Sequence, residues 1–105
     1  MKTLYTITLS IFLLTGCTAA RSMSAINAAA STLENAQNVQ AQKHAVYEYT
    51  RATEHLRLAR LESNIAEYAA ADAHAKEAKT WAEKAISTAK RHATKASQQT
   101  LSEPL

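Results

Sequence analysis

One cysteine in this chain stands where its thiol can do chemistry. Cys17 is the only cysteine in the 105-residue sequence, and the only glycine, Gly16, directly precedes it. Both residues follow an apolar run, Leu4 to Leu14, near the start of the chain. A deprotonated thiol is a strong nucleophile. Thiol chemistry at the end of an apolar N-terminal run is therefore the first candidate that the residues offer.

The first sixteen residues have the order of a secretory signal peptide. Lys2 supplies a positive start, the apolar run follows, and the small residues Thr15 and Gly16 stand where processing occurs. A helix needs about 20 apolar residues to cross a bilayer, and the run from Leu4 to Leu14 is well short of that. We therefore expect residues 1–16 to be a cleaved signal peptide.

The sequence Leu14-Thr15-Gly16-Cys17 resembles the lipobox of bacterial lipoproteins. The resemblance implies that the Cys17 sulfur receives a diacylglycerol-derived group, that the chain is cut between Gly16 and Cys17, and that the new amine takes an acyl chain such as palmitate. Two or three acyl chains hold a protein stably on a membrane. Thr18, rather than aspartate, is typical of sorting to the outer membrane, facing the periplasm. A free thiol or an intermolecular disulfide is the alternative.

The composition of the remaining chain predicts an all-α fold. Removal of residues 1–16 leaves 89 residues with no glycine and one proline, Pro104, whereas alanine and other helix formers dominate. Large apolar residues are sparse, so the core is thin and association with another chain is expected to add stability. These 89 residues include eleven Lys or Arg and nine Asp or Glu. Their charges are too balanced to indicate nucleic acid as a partner.

The apolar residues recur with helical spacing in three segments. We expect helices over residues 25–43, 47–62 and 65–97, with a capping box from Ser31 to Glu34 and an N-cap at Asn64. One stripe is formed by Ile26, Ala29, Leu33 and Ala36. A second is formed by Tyr49, Ala52, Leu56 and Ala59.

The third helix has the most regular pattern, which we call the alanine seam. Its members alternate strictly at three- and four-residue steps: Tyr68, Ala71, Ala75, Ala78, Ala82, Ala85 and Ala89. This heptad spacing is typical of coiled-coil-like helix contact, and alanine allows close approach of the backbones. We predict an alanine-rich helical hairpin or three-helix antiparallel bundle over residues 25–98, after a tether over 17–24 and before a tail over 99–105.

The segment from Val46 to Ala85 resembles the alanine-rich lipoproteins catalogued as domain of unknown function 4398. The resemblance rests on a Tyr-Glu-Tyr start, an Ala/Leu stripe, a short turn and a tyrosine followed by evenly spaced alanines: Tyr47, Glu48, Tyr49, Ala52, Leu56, Ala59, Tyr68, Ala75, Ala78, Ala82 and Ala85. It implies a helical hairpin or bundle on a lipid anchor, with no established activity.

Other reactive residues give no catalytic or metal-binding pattern. No two of the four histidines, His44, His55, His74 and His92, have the i, i+3 or i+4 spacing by which one helix holds a metal ion. The carboxylates are better interpreted as ion-pair partners, for example Asp72 with Lys76. We expect no enzyme activity, no small-molecule substrate, and no metal or other cofactor beyond the lipid on Cys17.

Two hypotheses of function remain. The first is a lipid-anchored protein of the cell envelope that acts as a non-enzymatic structural or protein-interaction module, associating with itself or with another envelope protein. Trp81, Tyr47 and Tyr49 are its packing aromatics, and Trp81 is also a candidate anchor for a partner. The alternative is a periplasmic ligand- or metal-binding module that uses the surface histidines.

Overall fold

The computed structural model describes the backbone of residues 2–102 and the side chains of residues 17–102. Within this part of the chain, all regular structure is helical: α1 Lys2–Asn38, α2 Ala41–His44, α3 Val46–Asn64 and α4 Tyr68–Ser102. The predicted all-α fold is therefore confirmed. The long helices pack into a thin rod, 18 by 14 Å across and 87 Å long.

The three long helices form a bundle in which α3 runs antiparallel to α1 and α4. Near one end, Ala29 of α1 lies in a cluster with Ala59 of α3 and Ala75 of α4. Near the other end, Ala36 clusters with Ala45 and Ala89. The residue numbers rise together along α1 and α4 and fall along α3, which fixes these directions.

Several helix ends differ from those expected. Residues 17–24 continue α1 instead of forming a tether, because no glycine or proline interrupts them and Ser22 is buried at the position before Ile26 in the stripe. Ser31 and Glu34, expected as a capping box, lie inside α1. At the other end of the chain, α4 extends to Ser102 rather than giving way to a tail at residue 99.

Two of the three connections between helices use a non-glycine residue with positive φ. Gln40 has φ 58° between α1 and α2, and Ala66 has φ 63° between α3 and α4. Asn64, expected as an N-cap, is instead the last residue of α3, and the amide of Ala66 donates a hydrogen bond to the carbonyl of Ser63. Residues 17–105 contain no glycine to take these positions, so alanine and glutamine adopt backbone angles that cost about 1–2 kcal/mol each.

Candidate lipid anchor and interaction surface

Cys17 is an exposed, free thiol within α1, five residues before Ser22, the first buried residue among the described side chains. Six residues further along α1, the sulfur of Met23 contacts Oγ of Ser63, at the end of α3, at 3.8 Å. A rise of 1.5 Å per residue places Cys17 about 9 Å beyond Met23, on the side of the turn between α3 and α4 and about one helical turn past it. We call Cys17 together with turn residues 65–67 the anchor end. The side chains of Leu14, Thr15 and Gly16 lie outside the described residues.

The alanine seam lies inside the bundle. Its six alanines, Ala71, Ala75, Ala78, Ala82, Ala85 and Ala89, are buried, and Tyr68 is half-buried at the start of α4. They pack against the stripes on α1 and α3, where Ile26, Ala29, Leu56 and Ala59 are also buried. Because the seam is covered by the chain's own helices, a second protein has to contact the outer faces.

An aromatic and cationic cluster, which we call the Trp81 patch, lies on the outer face of α3 and α4. The rings of Tyr47 and Trp81 meet edge to face, with centroids 5.6 Å apart and an interplanar angle of 85°. The guanidinium carbon of Arg51 lies 5.2 Å from the Trp81 ring centroid, and Nζ of Lys84 lies 4.3 Å from it. Tyr47 is exposed and Trp81 half-buried, so the patch presents aromatic surface and two cations to solvent.

Tyr49 lies apart from the Trp81 patch. It is half-buried on the inner side of α3, where it packs with Ala36, Ala45 and Ala85. Its hydroxyl accepts a hydrogen bond from Nε2 of Gln37 at 2.8 Å, which links α3 to α1. The three packing aromatics proposed from the sequence therefore occupy two sites: Tyr47 and Trp81 outside, Tyr49 within the bundle.

Two acid–base pairs stabilise single helices. Asp72 Oδ2 and Lys76 Nζ are 2.8 Å apart on α4, in the i, i+4 arrangement expected from the sequence. On α3, the guanidinium of Arg57 donates to both carboxylate oxygens of Glu54. This hydrogen bond, together with the Coulomb attraction, lowers the pKa of Glu54 below its ordinary value of 4.5 and raises the pKa of Arg57.

The structure brings together two histidines that sequence spacing keeps apart. The rings of His55 on α3 and His74 on α4 stack with centroids 5.7 Å apart, and Nδ1 of His74 is 2.6 Å from a carboxylate oxygen of Glu62. The antiparallel pairing of α3 and α4 produces this contact, so no pattern within one helix indicates it. Among residues 17–102, no group of three or more His, Cys, Asp or Glu side chains is arranged to hold a metal ion.

The last part of α4, residues 90–102, projects past the other helices, and we call it the α4 overhang. All thirteen of its residues are exposed, whereas Ala89 is the last buried residue of the seam. It carries the cations Lys90, Arg91 and Lys95 and no acidic side chain.

Among the described residues, no helix combines the length and the apolar character that are needed to cross a membrane. Comparison of the chain with protein-family models, with curated proteins and with solved structures finds no match.

Proposed function

We propose that this protein is a bacterial envelope lipoprotein of the alanine-rich helical kind, attached to the outer membrane through lipid on Cys17 and facing the periplasm. It acts there as a non-enzymatic structural or protein-interaction module. The observation that carries the proposal is the position of Cys17, which follows the lipobox-like Leu14-Thr15-Gly16 and is exposed in α1, five residues before the first buried residue among the described side chains.

The chemistry of the anchor uses the exposed sulfur. The Cys17 thiolate attacks the glycerol carbon of a phospholipid that bears the headgroup phosphate; the C–S bond forms as the C–O bond breaks, and the headgroup leaves as its phosphate ester. Hydrolysis of the Gly16–Cys17 peptide bond by water then frees the Cys17 amine, which takes an acyl chain from a phospholipid ester as the lysophospholipid leaves. Lipid chains add about 0.8 kcal/mol of membrane affinity per buried methylene, so two or three chains attach the protein permanently.

The body of the protein offers the Trp81 patch for contact with a partner. Tryptophan, tyrosine and arginine are the residue types that dominate interface energetics, and here all three lie in one exposed cluster. Because the seam is buried within the chain, we place self-association or binding of another envelope protein on this patch.

The anchor is tested by Cys17→Ala. We expect this variant to lose labelling by an alkyne fatty acid and to leave the membrane fraction, whereas Ser24→Ala, an exposed change seven residues further along α1, keeps both. A Cys17→Ala protein that remains membrane-bound and still loses residues 1–16 contradicts the proposal. In an envelope with two membranes, Thr18→Asp should move the protein from the outer to the inner membrane.

The interaction surface is tested by a photo-crosslinking amino acid in place of Tyr47, with Glu77 on the exposed face of α4 as the control position. A product of twice the chain's mass supports self-association, and one discrete heavier product supports a particular partner. Either product should disappear in Trp81→Ala. Equal crosslinking from both positions contradicts a specific patch.

A second candidate, metal binding through histidines, has the His55–His74 contact in its favour. The pair supplies two nitrogen ligands, whereas a structural zinc site takes four ligands. If zinc raises the melting temperature of the unmodified chain but not of His55→Ala, metal binding at this pair is supported. An unchanged melting temperature removes this candidate.

A further inference from the structure

Charge is divided unevenly along the described part of the rod. We call residues 36–51 and 84–102 the basic end, because they contain the core cluster farther from the anchor end or project beyond it. The basic end has one carboxylate, Glu48, and six exposed cations: Lys43, Arg51, Lys84, Lys90, Arg91 and Lys95. The rest of residues 17–102 has five cations and seven carboxylates, of which Glu34 and Glu83 border the basic end. The excess positive charge of the described residues therefore lies at one end.

Compensation of helix dipoles explains only one of these cations. Lys43 is in the last turn of the short helix α2, where a positive charge is stabilising. The last turn of α4 contains no basic residue, because Lys95, the last of its cations, lies seven residues before Ser102. Arg51 is near the start of α3, where the dipole offers a cation no stabilisation. None of the six forms an ion pair within residues 17–102.

Three of the cations continue the Trp81 patch along α4. At steps of three or four residues, one stripe on the outer face of the helix is formed by Trp81, Lys84, Thr88, Arg91 and Lys95. The hydroxyl of Thr88 donates to a carboxylate oxygen of Glu48 at 3.2 Å and accepts a hydrogen bond from the guanidinium of Arg91, also at 3.2 Å. Arg91 is thereby oriented, and the one carboxylate of the basic end is hydrogen-bonded within the bundle.

The chemistry of this surface fits carboxylates on a protein. Guanidinium groups bind a carboxylate through two parallel hydrogen bonds. Arg51 and Lys84 lie over the ring of Trp81, 5.2 and 4.3 Å from its centroid, so a sugar would find the ring face already occupied. Trp81 is fifteen residues beyond Ala66, about 22 Å along the rod from the turn, and so lies away from the lipid proposed on Cys17.

A second copy of this chain is a poor occupant of the same surface. In a two-fold contact through the Trp81 patch, Arg51 and Lys84 of one copy approach the same residues of the other. Like charges facing each other across an interface are unfavourable and act against that partner. Two copies anchored in one membrane through Cys17 would also bring their basic ends together.

We propose that the Trp81 patch and the cations beside it bind an acidic segment of a different protein, whose carboxylates contact Arg51, Lys84 and Arg91. The inference rests on the proposed function as an interaction module and names the chemistry of the partner. Complementary charge speeds the encounter and selects the partner, while Trp81 and Tyr47 supply aromatic contact area.

The first test uses the fluorescence of Trp81, which is the only tryptophan in the chain. The full lipidated protein in a non-ionic detergent is titrated with poly-L-glutamate, with polygalacturonate at the same carboxylate concentration, and with phosphatidylglycerol added to the micelles. We expect poly-L-glutamate to change the emission in a saturable way and to bind most tightly. Tighter binding of the polysaccharide or of the lipid overturns the assignment to an acidic protein.

Charge reversals locate the binding. Lys84→Glu combined with Arg91→Glu should weaken the binding of poly-L-glutamate by about ten-fold or more. The matched control is Arg60→Glu combined with Lys79→Glu, which makes the same change in net charge at exposed positions outside the basic end. Its affinity should stay within about two-fold. Equal weakening in both variants means that net charge alone acts, which overturns the inference.

Crosslinking from position 47 in cells separates this inference from the proposed function. A discrete product whose partner peptide is rich in Asp and Glu, and which is lost in the Lys84→Glu and Arg91→Glu variant, supports both. A product of twice the chain's mass, or one that survives the charge reversals, keeps the interaction module and overturns the acidic partner. Absence of a specific product contradicts the module and the inference together.

Discussion

Replacement of Ala78 by glutamate tests the packing of the alanine seam. Ala78 is 2% exposed and lies in a cluster whose other members are all apolar: Ile26, Ala29, Leu56, Ala59 and Ala75. A larger side chain forces the helices apart at a cost of about 1–3 kcal/mol. A carboxylate without a cation beside it adds several kcal/mol of desolvation. We therefore expect the free energy of unfolding to fall by at least about 4 kcal/mol.

That loss is large for a body of this size. The 89 residues from Cys17 to Leu105 are expected to have a total stability of about 4–13 kcal/mol. In a small domain, about 1 kcal/mol shifts the melting temperature by about 4–8 °C, so Ala78→Glu should melt at least about 15 °C lower or be unfolded. Circular dichroism at the helical band, on the protein purified in detergent, measures both outcomes.

The matched control is Ala73→Glu, the same change on an exposed position of the same helix. A surface substitution of this kind stays within about 0.5 kcal/mol, so its melting curve should overlie that of the unchanged protein. If the two variants melt together, the seam does not form the packed interior of the bundle and our account of the fold is refuted.

Three further changes test single features. Ala66→Gly should raise the free energy of unfolding by about 1 kcal/mol, because glycine adopts the left-handed backbone without strain. Ala73→Gly in helix α4 should lower it by about 1 kcal/mol. If urea titrations show the same change for both variants, the turn geometry is contradicted. Trp81→Ala should lower stability by about 2 kcal/mol through loss of the aromatic and cation contacts, and Trp81→Phe by less. Since Arg57 lowers the pKa of Glu54, the stabilising contact exists at neutral pH and is lost as pH falls below about 4.5. Glu54→Gln should remove this contribution to the pH dependence of the melting temperature. An unchanged dependence on pH contradicts the stabilising role of the Glu54–Arg57 pair.

The fold was predictable because the buried residues repeat with a period that belongs to helices. Every alanine of the seam is buried, as are Ile26, Ala29 and Ala36 of the first stripe. Ser22 continues that stripe, but a polar residue gives no apolar signal, so the apolar pattern predicts a tether before residue 25. Residues 17–103 contain neither glycine nor proline, so the usual markers of helix ends are missing there, which explains the misplaced turn at Asn64.

The surfaces were less predictable than the interior. Trp81 was recognisable as a candidate from its residue type, but Arg51 belongs to the patch only because α3 and α4 run antiparallel at that register. The same applies to His55 and His74, nineteen positions apart on different helices. Contacts between helices depend on register and direction, and no periodicity within a single helix contains that information.

If the proposed lipid anchor holds the anchor end on a bilayer, the α4 overhang gives the molecule a fixed reach away from that membrane. At 1.5 Å per residue, the 35 residues of α4 extend about 50 Å from the turn. Lys90, Arg91 and Lys95 then stand about 35–40 Å above the lipid headgroups. Under that condition the protein would be a spacer of set height, and its cations would meet an anionic polymer or protein only within a narrow layer.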